Sequence, residues 1–155
     1  MSDPFEDVKS ESMQTRREAE TKLAEMLIAD HGLIPTVLEN IRNGDLNSRW
    51  YLARALIKCG PELIPELIRL VEHEEDIMVL KYTGAVLAAF GEQAIQPLIG
   101  LFAADNAKLR GMAAAALERI GEPAVEALAI ASETGDDQTR LCAQIILQKL
   151  GGPAE

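Results

Sequence analysis

A glycine recurs at a nearly fixed interval through most of this chain. Gly60, Gly91, Gly121 and Gly151 lie 31, 30 and 30 residues apart. Each follows an apolar residue (Cys59, Phe90, Ile120, Leu150), and each has a leucine four positions earlier: Leu56, Leu87, Leu117 and Leu147. Fifteen residues before each glycine stands a helix-capping residue: Asp45, Asp76, Asn106 and Asp136. Columns that share one period define an internal repeat, the strongest constraint a sequence can place on its fold.

Each column has a physical reading. Asp or Asn accepts a hydrogen bond from the free N–H groups of a first helical turn. Glycine takes the left-handed conformation that closes a helix. Between them the apolar residues are spaced helically, as in Leu109, Met112, Ala113, Ala116, Leu117 and Ile120, which predicts a helix B in every repeat. A shorter apolar pattern follows each glycine: Ile64, Leu67, Ile68 and Val71; Ile95, Leu98, Ile99 and Phe102; Val125 and Leu128. It predicts a helix A starting near residues 32, 61, 92 and 122, with Pro61 and Pro123 in first turns and Pro65 and Pro97 deep enough to kink it. Ala19, Leu23, Met26 and Leu27 mark a further helix over 13–29 that caps the N-terminal end.

The sequence therefore predicts nine helices: four pairs (30–60, 61–91, 92–121, 122–151) and the capping helix, in one domain over 11–151. Residues 1–10 read as a flexible acidic arm and 152–155 as a tail. One helix pair cannot bury its apolar stripe alone, so the pairs are expected to stack. Aromatics are only 4% of the chain, so the core must be aliphatic and rich in alanine, which suits close helix packing.

The third repeat, from Asn106-Ala107-Lys108-Leu109-Arg110 through Ala113-Ala114-Ala115-Ala116-Leu117 to Ile120-Gly121 and Val125, resembles the HEAT-like repeat first named from phycobilisome lyases. The resemblance covers roughly residues 30–151. It implies an all-α fold, a right-handed α-α superhelix or solenoid with the B helices on its concave face. Ser48 and Leu80 depart from that pattern, which has Val or Leu and Arg at these places.

Chemistry is harder to find. No GxGxxG, Walker A, GxSxG or HExxH pattern occurs. The HEAT-like deoxyhypusine hydroxylases hold di-iron with several His-Glu pairs. Here the one pair is His73-Glu74, in a charged turn that reads as solvated, and the other histidine, His31, stands in another turn. Cys59 and Cys142 fall in core columns and read as reduced, buried thiols. No catalytic residue, metal site or cofactor is expected.

No run of about 18 apolar residues could span a membrane, the acidic N-terminus is no signal peptide, and the thiols fit a cytoplasmic protein. The net charge of −10 disfavours nucleic acid and anionic membrane as partners. Charge is divided unevenly, however. The four B segments carry +3, +1, +2 and +1, whereas the four A segments with their turns carry −2, −5, −2 and −4.

The B face is thus a comparatively basic ridge, expected to bind an acidic or mixed protein or peptide surface. The candidate contact residues are Arg49, Trp50, Arg54, Lys81, Arg110, Arg140, Leu141, Gln144 and Ile145. Arg49, Arg110 and Arg140 share one repeat column and are expected chiefly to bond the cap or a neighbouring carboxylate, forming a bracing ladder. Trp50, Arg54 and Lys81 are not locked to the repeat and are better binding candidates; for Trp50, binding and partial core burial stay open. Leu141 and Ile145, off the core stripe of the last helix, are a candidate homodimer contact. The sequence reads as a non-catalytic interaction scaffold or adaptor; the alternative is a lyase-like or accessory enzyme subunit acting with another chain.

Overall fold

The computed structural model describes residues 2–151; the start methionine and the expected tail over 152–155 lie outside them. Among the described residues the chain is all-helical, with ten α-helices, short 3-10 turns and no strand. No helix is long and apolar enough to cross a membrane.

The B helices are α2 (Met13–Ala29), α4 (Leu46–Cys59), α6 (Ile77–Ala89), α8 (Ala107–Ile120) and α10 (Asp137–Lys149); the A helices are α3 (Ile34–Arg42), α5 (Ile64–Val71), α7 (Glu92–Gly100) and α9 (Val125–Thr134). Capping residues stand where the repeat places them. Asp45, Asp76, Asn106 and Asp136 accept from the backbone N–H groups of Ser48, Val79, Leu109 and Thr139 at 2.8, 3.0, 3.3 and 2.8 Å. The repeat glycines Gly60, Gly91, Gly121 and Gly151 take φ of 98, 70, 77 and 67°. A side chain there would meet its own backbone, so only glycine ends these helices without strain.

Helix A begins differently from the expectation. In three repeats a 3-10 turn (His31–Leu33, Pro61–Leu63, Glu122–Ala124) precedes the α-helix. Pro65 consequently falls in the first turn of α5, where its missing N–H is not needed. Only Pro97 lies inside its helix, because α7 starts directly after Gly91.

Packing follows chain order. Each B helix touches the next, α2 with α4, α4 with α6, α6 with α8 and α8 with α10, while α5, α7 and α9 neighbour one another in a second row. A single aliphatic core runs between the rows, from Leu23 and Leu27 through Leu52, Leu56, Leu87 and Leu98 to Leu117 and Ile146.

The N-terminal segment corrects the expectation of a flexible arm. Pro4–Asp7 form a short helix, α1, capped by Asp3 and packed on α2. Pro4 and Val8 are buried. Arg16 holds the connection, donating to the Ser10 carbonyl at 2.6 Å while its guanidinium lies over the Tyr51 ring at 5.3 Å. The acidic composition hid the apolar contacts made by Pro4, Phe5 and Val8.

Candidate functional site

The column arginines take backbone partners. Arg49 donates to the carbonyls of Ile41 and Arg42 at 2.7 and 3.3 Å, and Arg110 to that of Ala104 at 2.7 Å. These carbonyls lie at the end of the A half of the same repeat, where a helix leaves acceptors without an i+4 partner. The bonds of both arginines stay within their own repeat and form no ladder between repeats. They use neither the cap nor a neighbouring carboxylate. Arg140 is exposed, with Asp137 3.9 Å away on its own helix.

Repeats are joined at the turns between helices A and B. Arg42 forms a bidentate pair with Glu74 of the next repeat at 2.7 and 2.9 Å. The Glu74 carboxylate also accepts from the N–H groups of Asp76 and Glu75, and its carbonyl accepts from Asn106 Nδ2 of the repeat beyond. Gln138 Nε2 extends the series to the carbonyls of Phe102 and Ala104. The bond from Arg42 holds the Glu74 carboxyl below the usual carboxylate range. His73 is exposed as expected, but Glu74 beside it is a joint, not a solvated turn residue. Among the described residues no cluster of three or more His, Cys, Asp or Glu side chains could hold a metal ion. Cys59 is buried as expected, whereas Cys142 is only half-buried, and burial pushes both thiols up.

Arg54 is also engaged. Its Nε and the Lys58 ammonium, one turn on, each lie 2.7 Å from the Glu20 carboxylate of α2. Glu20 is only 2% exposed. Arg54 thus locks that helix to the first repeat, which weakens its standing as a partner anchor.

Trp50 stands out from α4 with 56% of its surface exposed, so core burial is not its role. Trp50→Ala is expected to change stability by less than about 0.5 kcal/mol. As the only tryptophan, it should be freely quenched by acrylamide; weak quenching together with a large stability loss would contradict its exposure. Leu141 and Ile145 are 58% and 45% exposed on α10, beside an exposed Gln144.

Lys81 lies in a concavity where basic and apolar groups meet. Between α6 and α8 a groove of about 430 Å³ is floored by the buried Leu80, Gly84, Met112 and Ala116. Ile77, Ala85 and Ala115 form its sides, and Lys81, Lys108 and Arg119 are its only polar lining side chains. The repeat irregularity at Leu80 helps create it. Where Arg49 and Arg110 turn toward backbone carbonyls, Leu80 turns inward and lays down an apolar floor. Gly84 keeps that floor low: a Cβ there would stand 2.9 Å from Met112 Cγ. Lys81 and Arg119 have no carboxylate within ion-pair distance among the described residues, whereas Lys108 is 3.5 Å from Glu75.

Lys108, Arg119 and the groove floor escaped the sequence reading. The two cations were visible as B-helix charges off the apolar stripe. The floor was not, because Met112 and Ala116 read as stripe residues of helix B and Leu80 only as a departure from the repeat pattern. Compared with known proteins, the chain matches no protein-family model, and no curated protein matches it significantly.

Proposed function

We propose that this chain is a HEAT-like helical-repeat interaction module, a scaffold or adaptor that binds an acidic partner segment on the face formed by α4, α6, α8 and α10. In this reading the stacked pairs form a right-handed superhelix and the B face is its concave side. The observation that carries it is the α6/α8 groove. In a protein of net charge −10, an apolar concavity is bordered only by cations. Such a surface attracts carboxylates and repels the protein's own acidic turns, which favours a partner over self-association there. Exposed Trp50 on one flank and Leu141 and Ile145 on the other extend the face with apolar contact area of the kind interfaces use.

Carbodiimide coupling in native extract tests this reading, because it joins lysines directly to partner carboxylates. Cross-links are expected at Lys81 and Lys108. The Lys81→Glu/Arg119→Glu variant should lose the partners that wild type retains, while Arg69→Glu, on α5 of the other row, should keep them. If the two variants capture the same proteins as wild type, the B face is not the binding face.

A further inference from the structure

We infer that the occupant of the α6/α8 groove is an acidic amphipathic helix, with apolar residues on one face and carboxylates toward both ends. This rests on the preceding reading and names the partner's form. Two observations lead to it.

The first is what the groove lacks. Its lining offers no hydrogen-bond acceptor: the floor and sides are Ile77, Leu80, Gly84, Ala85 and their α8 counterparts, and the polar groups are donors only. Away from their ends, the backbones of α6 and α8 are already bonded within their own helices. An extended peptide laid there would bury N–H groups with nothing to receive them. A helix satisfies its backbone internally and needs from the groove only apolar contact.

The second is the placing of the cations. Lys108 opens α8 and Arg119 stands near its end, so at about 1.5 Å per residue they are roughly 16 Å apart along the axis. Lys81 stands in the first turns of α6. A compact anion reaches one of these groups, whereas a ligand about three helical turns long reaches both ends. Gly84, Ala85 and Ala115 are small enough for a third helix to settle closely between the two.

The test uses the intact protein and a fluorescein-labelled synthetic peptide of about 14 residues, a little over the span of the cations. It carries leucines at i, i+4 and i+7, glutamates at both ends, and a lactam that locks the helix. Anisotropy at low salt should show saturable binding, with amide shifts centred on Gly84, Ala85 and Ala115 in NMR spectra. A proline-interrupted peptide of the same composition should bind roughly tenfold more weakly or worse, a loss of about 1.4 kcal/mol, and a version with lysines for glutamates should not bind. Ala115→Trp, at an exposed position, should block the groove while circular dichroism remains that of wild type. Lys81→Glu/Arg119→Glu should weaken binding without filling it. Equal binding by the interrupted peptide, undiminished binding to Ala115→Trp, or no binding by the locked helix overturns the inference. If in those cases the carbodiimide cross-links at Lys81 and Lys108 persist, only the helical form of the partner is wrong. If they are absent too, the B-face reading fails with it.

Discussion

Replacing Arg54 and Lys58 together by methionine is expected to destabilise the protein by about 3–5 kcal/mol, as measured by urea unfolding. Both cations are within 2.7 Å of Glu20, which is only 2% exposed. Methionine keeps the aliphatic cover and removes both positive charges, so a carboxylate is left buried and unpaired. The double alanine variant should cost less, about 1–2 kcal/mol, because truncation opens a path for water to solvate Glu20. Adding Glu20→Met to the methionine pair should recover most of the loss, since an ion cluster replaced whole by apolar groups is often neutral. The order of the three variants carries the test. If both methionine variants are as stable as wild type, or the alanine pair is the less stable, the cluster does not lock α2 to α4. The outcome also separates stability from binding at Arg54, which a change to glutamate there would confound.

The repeat columns made the elements legible because each is governed by backbone chemistry. A capping side chain and a glycine with positive φ act within a few residues, so their spacing alone sets the ends of α4, α6, α8 and α10. The features that escaped depend on partners far along the chain. Glu20 lies next to the stripe residue Ala19 and reads as surface until Arg54 and Lys58, more than thirty positions on, are seen to cover it. Glu74 belongs to a run of acidic residues, and only Arg42, thirty-two positions earlier, distinguishes it from its neighbours. The candidate site was half legible for a related reason. Lys81, Trp50, Leu141 and Ile145 could be read from the phase of their helices. The groove between α6 and α8 could not, because it depends on the volumes of Gly84 and Ala116 set against Met112, which a single helix pattern does not weigh.

Glu74→Ala is expected to cost about 2–3 kcal/mol at neutral pH, well beyond the effect of an exposed carboxylate. Its side chain is 11% exposed, receives both arms of Arg42 and closes the turn by accepting two backbone N–H groups. Alanine leaves those N–H groups without their acceptor and the Arg42 guanidinium with Glu39 alone. Glu74→Gln keeps the size and one acceptor oxygen, and should cost less, about 1–2 kcal/mol. Acidity supplies a further signature. The folded-state pKa of Glu74 is lowered, first by the bond from Arg42, so the folded protein holds this proton less tightly than the unfolded chain. The stabilisation is then complete above the unfolded value of about 4.3 and is lost as pH falls through the depressed folded value. The gap in unfolding free energy between wild type and Glu74→Gln should therefore narrow on acidification below about pH 5. Other lowered carboxyls, such as Asp45 at its cap, remain in both proteins and cancel in the difference. A gap that stays constant from neutral to acid pH would mean that Glu74 contributes through shape alone, and that the joint between the first two repeats is not ionic.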